Sequence, residues 1–265
     1  MTMINIYAIS LPDHIERRHH IQAECARVGI AAEIIDATDM RAADESSIHK
    51  LCKLPLAKPL KKQRYLSAGE LGCSLSHRAV YQTVLARGQD YALILEDDAY
   101  FIEDPSVLLN PDYLQTIQQQ YPFDVLILGY VKTLPEHLPY YYRRIPLKTR
   151  ATLTVNDKLY RFGTPWEQYG CGTVAYIISA QGARKLLADE KPSVAADDWL
   201  YFEQQNGLRI LHSRPAFVLE DATRFDSTIR QEPNGFLQPK RSSIIIRSTK
   251  GWLKNFAMNY LNLKK

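Results

Sequence analysis

The chain has 265 residues, of which 46% are hydrophobic and 23% are charged. This length suits one large α/β domain or a core domain with an insertion, and the composition excludes global disorder and a collagen-like repeat. The first ten residues predict a strand rather than a signal peptide, and no apolar run approaches the roughly 18 residues that a membrane-spanning helix needs. We therefore expect a cytoplasmic protein.

The four cysteines are widely separated and form no C-x-x-C pair, which argues against a zinc cage and a disulfide framework and predicts isolated thiols. The charge is uneven along the chain. Residues 240–265 hold seven Lys or Arg and no acidic residue, so that the overall net charge of +4 becomes −3 for residues 1–239. The basic character therefore belongs to the tail.

The first third of the chain alternates apolar runs with helical patterns. Residues 4–9 predict a strand, and a helical pattern that begins near Arg17 ends near Gly29. A second strand is predicted at residues 32–35. Residues 46–64 are rich in Lys and Pro and have no clean period, and we expect them to form a mobile loop.

Ser67 and Glu70 fit the S-x-x-E capping box, in which both side chains satisfy backbone amides at the start of a helix. The helix is predicted to run from about residue 70 to residue 87. Gly88 follows it and is a suitable residue for the helix end.

Three further apolar runs predict buried strands at residues 91–95, 124–129 and 173–178, and a helical pattern follows the last of them at residues 180–187. Alternating strands and helices favour an α/β fold with a mostly parallel central sheet and helices on both faces. About forty residues dense in Tyr and Arg separate the last two strands and predict an insertion.

Glu96, Asp97 and Asp98 directly follow the strand at residues 91–95. Open α/β sheets bind ligands at the carboxyl ends of their strands. Three adjacent carboxylates repel one another, and Mn²⁺ or Mg²⁺ bridging a diphosphate would relieve this repulsion. A solvated acidic turn is the alternative that the triplet alone leaves open.

Several short motifs follow one another between about residues 4 and 230. They are IYAISLP (6–12), ERR (16–18), SAGELGCSLSH (67–77), LILEDD (93–98), GCGTVAYIIS (170–179), GA (182–183), ADDWL (196–200), RPAFV (214–218) and FDS (225–227). In this order they resemble glycosyltransferase family 25, the lipooligosaccharide galactosyltransferase-like group. An ordered set of motifs is more specific than any one of them.

The resemblance implies a GT-A fold with a Rossmann-like nucleotide-binding part, about residues 1–130, and an acceptor-binding part, about residues 131–239. It also implies an inverting transfer, commonly of galactose from UDP-galactose or a related UDP-hexose, to a glycolipid acceptor such as a lipooligosaccharide core. The acidic triplet then takes the place of the D-x-D motif. Asp98 would coordinate the metal, while Glu96 would meet the ribose or a metal-bound water.

Four residues at the ends of the first two strands are candidates for nucleotide binding, namely Leu11, Arg17, Asp36 and Ala37. A helix cap and a surface guanidinium are the alternatives for the charged ones. Glu96 and Asp97 join this set. His77 is a further candidate taken from the family motif, although a single helical histidine is more often a hydrogen-bonded structural residue.

An inverting transfer needs a base that accepts the proton of the acceptor hydroxyl. Asp197 and Asp198 precede a predicted helix that begins at Trp199 and are the candidates. A helix N-cap with a first-turn carboxylate is the alternative, and the two roles are compatible.

The tail at residues 240–265 predicts a basic amphipathic helix. Trp252, Phe256 and Tyr260 share one helical face, and Lys250 and Lys254 lie roughly opposite. This pattern suits peripheral contact with an anionic membrane, on the inner face of the inner membrane for a lipid-anchored acceptor. A terminal helix packed on the domain is the alternative.

Two other classes of function compete with the transferase. Nucleotidyltransferases and hydrolases of nucleotide diphosphates normally carry a glycine-rich phosphate loop, and neither G-x-x-x-x-G-K-[ST] nor G-x-G-x-x-G occurs in the chain. A nucleic-acid-binding protein would spread basic charge over a face, whereas residues 1–239 are net acidic. We therefore expect no nucleic-acid partner.

Overall fold

The computed structural model describes residues 3–54, 64–168, 172–221, 224–225 and 241–261, and for residues 241–246 only the backbone. The strands in these ranges are β1 (Asn5–Ser10), β2 (Glu33–Asp36), β3 (Tyr91–Glu96), β4 (Ala99–Phe101), β5 (Val125–Ile127), β6 (Gly129–Tyr130), β7 (Leu147–Val155), β8 (Lys158–Pro165), β9 (Ala175–Ser179), β10 (Ile210–Arg214) and β11 (Val218–Glu220). The α-helices are α1 (Ile15–Arg27), α2 (Glu45–Leu51), α3 (Ala68–Ala86), α4 (Ser106–Leu109), α5 (Pro111–Gln120), α6 (Leu138–Arg144), α7 (Ala180–Leu187), α8 (Trp199–Gln205) and α9 (Arg241–Tyr260). A 3-10 helix covers Pro135–His137.

The central sheet has the strand order β2-β1-β3-β9-β5-β10-β8-β7. Six of these strands run in one direction, and β8 and β9 run in the other. The expected α/β class is therefore confirmed, with most strands of the central sheet running in one direction; three of its seven strand pairings are parallel and four are antiparallel. A smaller sheet has the strand order β4-β11-β6. Its strands β4 and β6 directly follow β3 and β5 in the sequence.

Strand β1 shows why helices cover both faces of the sheet. Ile6 and Ala8 point into one core, which also contains residues of α1 and α5, whereas Tyr7 and Ile9 point into a second core with residues of α3 and α7. Successive side chains of a strand alternate between the two faces, so a strand that is apolar at every position must be covered on both. The expected helices on both faces are confirmed.

The predicted capping box at the start of α3 is present. The Glu70 amide donates to the Ser67 hydroxyl at 3.3 Å, and the Ser67 amide donates to the Glu70 carboxylate at 2.9 Å. Gly88 follows the helix with a φ of 62°, a left-handed conformation that costs glycine little. These local signals fix the position of α3, which borders the site described below.

The loop expected at residues 46–64 is wrong in its first part, because α2 occupies Glu45–Leu51. The Asp44 side chain accepts a hydrogen bond from the Ser47 amide at 2.8 Å and caps this helix. The helix buries none of its residues, and it therefore lacks the apolar period by which a sequence pattern detects helices. Residues 55–63 lie outside the described part of the chain.

The stretch expected as an insertion instead extends the central sheet. Strand β8 pairs with β10, β7 pairs with β8, and Phe162 of β8 is fully buried. The sequence pattern missed this hairpin because only Ala151 and Leu153 of the nine residues of its outer strand β7 are buried, so β7 lacks the continuous apolar run that marks the central strands. Strands from residues 1–130 and from residues 131–239 thus share one sheet.

Helix α9 lies against α6 and β7. Met258 is buried, and a Cβ atom on Gly251 would lie 1.8 Å from the carbonyl oxygen of Arg143. The Lys254 ammonium also donates to the carboxylate of Glu167 at 2.8 Å. The tail helix is therefore packed on the domain.

The aromatic residues of α9 are exposed. The rings of Trp252, Phe256 and Tyr260 are exposed and stack in series, with centroid distances of 6.1 and 5.0 Å. Lys240, which also contributes to the predicted basic tail, lies outside the described residues. Among the described residues, no helix has the length and apolar character to cross a bilayer.

Candidate functional site

A cavity of about 180 Å³ lies where β1, β2 and β3 end and α3 begins. Seven of the residues that the sequence singles out line it, namely Leu11, Arg17, Ala37, His77, Glu96, Asp97 and Asp98. Asp36 does not line the cavity. Its carboxylate is 71% exposed and accepts a hydrogen bond from Arg18 at 2.5 Å.

Arg17 joins two acids of the triplet. Its Nε atom donates to Oδ1 of Asp97 at 2.7 Å, and its NH2 group donates to Oδ2 of Asp98 at 2.5 Å. The Ser10 hydroxyl donates to the second oxygen of Asp97 at 2.6 Å. Both oxygens of Asp97 therefore accept hydrogen bonds from protein groups, so that Asp97 serves to position Arg17.

Asp98 is buried, and its Oδ1 atom has no hydrogen-bond partner among the described residues. Burial, followed by the negative charge of Glu96, raises the pKa of Asp98 well above its usual range. Buried polar atoms without a partner are rare in folded proteins. A cation at this oxygen would both supply the missing partner and favour the charged carboxylate, so the residues fit a bound divalent metal.

Glu96 retains its negative charge more easily than Asp98 does. Its Oε1 atom lies 3.5 Å from Nε2 of His77 and accepts a hydrogen bond from the Thr173 hydroxyl. Burial alone would raise the pKa of Glu96, but the interactions with His77 and Thr173 outweigh it, so the pKa lies below its ordinary value. Glu96 is thus an ionised ligand candidate beside the unpartnered Oδ1 atom of Asp98.

His77 is buried and contacts both the cavity and the core. Its Nδ1 atom lies 2.7 Å from the hydroxyl of Tyr176, which lies 2.8 Å from the hydroxyl of Tyr81. The hydrogen-bonded structural role considered for this histidine is therefore present. Its other nitrogen still faces Glu96.

A second cavity, of about 150 Å³, shares Cys73, Glu96 and Glu220 with the first. Asp197 and Lys132 are among its other lining residues, and Asp197 is exposed. The two cavities meet at the acidic triplet. This arrangement provides two adjoining spaces with carboxylates where they meet.

Asp198 has a different environment from Asp197. Its Oδ1 atom accepts a hydrogen bond from the Tyr201 amide at 3.2 Å, so that Asp198 caps α8. The capping role considered for the pair therefore falls to Asp198. Asp197 lines the second cavity and Asp198 lines neither.

Sequence reasoning missed Glu220, which together with Glu96 lines both cavities. It ends β11 of the small sheet and accepts a hydrogen bond from the Lys132 amide at 2.9 Å. Burial raises the pKa of Glu220 above its ordinary value. An isolated glutamate far along the chain gives no sequence signal, and the pairing of β11 with β4 and β6 brings it to the triplet.

Cys73 was also missed as part of the site. It lies one turn before His77 on α3 and lines both cavities. The spacing of four residues between a cysteine and a histidine in a predicted helix was the signal that could have found it. Burial and the nearby carboxylates raise the pKa of the Cys73 thiol well above its usual range.

The sequence model described as "Glycosyltransferase family 25 (LPS biosynthesis protein)" matches residues 3–201. A protein of Haemophilus influenzae named "Putative glycosyltransferase" is 27% identical over 254 residues, which cover 92% of this chain and 82% of that protein. The match therefore covers most of both proteins.

Two animal relatives match a smaller share of their own length. "Procollagen galactosyltransferase 1" of Danio rerio is 28% identical over 200 residues, which cover 74% of this chain and 30% of that protein. "Inactive glycosyltransferase 25 family member 3" of Mus musculus is 28% identical over 187 residues, with 70% and 29% covered. The chain thus spans about 30% of the length of the animal relatives it matches.

Proposed function

The chain belongs to glycosyltransferase family 25, and we propose that it is a metal-assisted, inverting glycosyltransferase that moves galactose from UDP-galactose to a lipooligosaccharide core sugar. The observation that carries the proposal is the buried, unpartnered Oδ1 atom of Asp98 in a cavity at the carboxyl ends of β1 and β3. The family description and the name of the Danio rerio relative support the sugar and the acceptor class.

Family membership alone does not establish an activity, because the Mus musculus relative at 28% identity is named inactive. The chemistry therefore has to be argued from this chain's own residues. Its two adjoining cavities, its acidic triplet and the exposed carboxylate of Asp197 are the parts that a transfer between two sugars needs.

We propose that Asp98 and Glu96 hold the metal. Their carboxylate oxygens suit Mn²⁺ or Mg²⁺, which prefer oxygen ligands. When bound, the cation neutralises the charge that develops on the departing UDP. Arg17 keeps Asp98 in place through its other oxygen, and Asp97 in turn is fixed by Arg17 and Ser10.

The nucleotide would occupy the larger cavity in a GT-A arrangement. Leu11 and Ala37 line the edge where β1 and β2 end and would border the uridine. His77 and Asp97 line the same cavity on the side of α3 and β3. Asp36 could contact the ribose only after leaving Arg18, since it lies outside the cavity wall.

Asp197 is the better of the two candidate bases. Asp197 is an exposed residue that lines the cavity adjoining the triplet, whereas Asp198 lines neither cavity and caps α8. In the proposed step, the acceptor hydroxyl gives its proton to Asp197 while its oxygen attacks the anomeric carbon. The attack comes from the face opposite the UDP, whose bond to the sugar breaks.

A glycolipid acceptor would bring the protein to a membrane surface. The exposed stack of Trp252, Phe256 and Tyr260 on α9 supports peripheral contact with anionic lipid, with cytoplasmic inner-membrane lipid as the proposed location. Lys250 is an exposed basic residue of the same helix, roughly opposite the aromatic rings. Each basic residue near an anionic surface contributes about 1 kcal/mol.

The proposal is tested by UDP release from several UDP-hexoses in the presence of a lipooligosaccharide core acceptor, with and without EDTA. We expect turnover of UDP-galactose that EDTA abolishes and Mn²⁺ restores. Asp98→Asn should lower kcat/KM by 100-fold or more, or about 3 kcal/mol of transition-state stabilisation. Asp112→Asn, at an exposed position on α5, is the matched control.

The variant Asp197→Asn tests the proposed role of Asp197 as the base separately from nucleotide binding. We expect it to lower kcat while the affinity for UDP in the presence of Mn²⁺ stays within about twofold, because Asp197 lies outside the nucleotide cavity. UDP release that survives both EDTA and Asp98→Asn would remove the metal from the reaction. An unchanged kcat in Asp197→Asn would remove this residue as the base.

A further inference from the structure

We propose that Cys73, His77 and Glu96 form a binding site for a thiophilic divalent cation such as Zn²⁺, which adjoins the oxygen-ligand site assigned to Asp98 and shares Glu96 with it. The Sγ atom of Cys73, a ring nitrogen of His77 and a carboxylate oxygen of Glu96 all lie within 4.8 Å of one another. The three side chains come from one face of α3 and from the end of β3.

The backbone arranges these three groups before any metal binds. Cys73 and His77 are four residues apart on α3 and therefore project from the same side of the helix. The capping box at Ser67 fixes the first turn of this helix. Glu96 ends a strand that is hydrogen-bonded on both sides within the central sheet, so its position is set as well.

Partners behind the three groups orient two of them. The Nδ1 atom of His77 is held at 2.7 Å by the Tyr176 hydroxyl, which leaves Nε2 facing Glu96. The Thr173 hydroxyl donates to the carboxylate of Glu96. Metal-binding histidines and carboxylates usually have such outer partners, because these fix the ring orientation and the ligand atom.

The distances between the three ligand atoms are short enough that small side-chain movements would enclose an ion. Zn–S bonds of about 2.3 Å and Zn–N bonds of about 2.0 Å place the ligand atoms of a tetrahedral site roughly 3.5 Å apart. The His77 to Glu96 distance is already 3.5 Å, and the whole cluster lies within 4.8 Å. Side-chain shifts of about 1 Å would complete the site.

The choice of ligands determines which cation is favoured. A thiolate and an imidazole prefer Zn²⁺ or Co²⁺ over Mg²⁺ and Mn²⁺, which favour oxygen ligands. Three protein ligands leave a fourth position open, as in catalytic rather than structural zinc sites. Cys73 and Glu96 line both cavities, so an ion can enter and its open position would face them.

The test is a titration of the metal-free full chain with Co²⁺, without nucleotide. We expect a thiolate-to-cobalt charge-transfer band in the near ultraviolet at one equivalent, displaced by Zn²⁺ and not by Mg²⁺. Cys73→Ser should abolish the band, and Cys52→Ser, which removes a buried thiol elsewhere, should retain it. The titration involves no nucleotide and no sugar transfer. A negative result would therefore leave the proposed function standing, and failure of the proposed function would leave this metal site standing.

Tyr176→Phe provides a second variant that keeps all three ligands. It removes the hydroxyl that orients His77, and we expect the affinity for Co²⁺ to fall 10- to 100-fold while the band itself persists. Absence of the band in the wild-type chain would overturn the proposal. A band that Cys73→Ser retains would do the same, and so would an affinity that Tyr176→Phe leaves unchanged.

Discussion

The guanidinium of Arg17 lies 2.7 Å from the carboxylate of Asp97, and its second nitrogen reaches the next acid in the chain. Lysine carries one compact ammonium group and cannot reproduce this two-point contact. We expect Arg17→Lys to lower the free energy of unfolding by about 2 kcal/mol at pH 7, measured with urea. Arg41→Lys is the control, because Arg41 forms exposed ion pairs that solvent screens, so a much smaller loss is expected. Equal losses in the two variants would contradict this interpretation.

Removing the charge of Asp98 should stabilise the metal-free protein. Asp98→Asn keeps an oxygen that can accept from Arg17 and removes a buried carboxylate whose pKa is raised by burial. We expect a gain in the free energy of unfolding of about 1–3 kcal/mol at pH 7.5. Urea unfolding of the variant and of the wild-type protein measures this gain.

The gain should shrink as the pH falls. Because the pKa of Asp98 is higher in the folded than in the unfolded protein, the folded wild-type chain takes up a proton that the unfolded chain does not. The wild-type protein therefore gains stability relative to Asp98→Asn as the pH falls towards about 4, the usual pKa of aspartate. Urea unfolding at pH 4.5 and 7.5 checks this, and a gain independent of pH would be inconsistent with it.

The capping box should contribute measurably to stability. Ser67→Ala removes the acceptor for the Glu70 amide at the start of α3, and we expect a loss of about 1 kcal/mol. Ser46→Ala, on the short helix α2, is the matched control and should stay within about 0.5 kcal/mol. Thermal and urea unfolding measure both variants, and a neutral Ser67→Ala would show that the cap is dispensable.

Gly251 should control the docking of the tail helix. A Cβ atom there would lie 1.8 Å from the backbone carbonyl of Arg143, and backbone atoms cannot move aside cheaply. We expect Gly251→Leu to displace α9 from α6 and to make cleavage by trypsin after Lys254 at least tenfold faster. The control Asn255→Leu changes an exposed position of the same helix. Equal cleavage of Gly251→Leu and the wild-type chain would contradict this expectation.

Local signals in the sequence predicted the elements around the site. The capping box, the glycine after α3 and the apolar run of β3 each act within a few residues, and the structure contains all three. The acidic triplet was found for the same reason, since the end of a buried strand fixes where its next residues lie. Its metal-binding role stays a prediction.

Strand pairing between distant residues limited how much of the remaining fold and site could be predicted from the sequence. The attachment of β8 to β10 and of β11 to β4 depends on contacts between distant residues, which no local period encodes. The presence of Glu220 beside the triplet follows from the second pairing and was therefore invisible in the sequence. Likewise, the different surroundings of the adjacent acids Asp197 and Asp198 are decided by the turn before α8.

The cavity at the triplet is assembled from residues that lie far apart in the sequence, since Ser10 comes from the first strand and Glu220 from the last strand in the described part of the chain. A nascent chain still attached to the ribosome completes this cavity only after residue 220 has emerged from the exit tunnel. During synthesis, the early acids are thus exposed without their late neighbour. A stop codon shortly before β11 would release a product with most of the central sheet but an incomplete cavity.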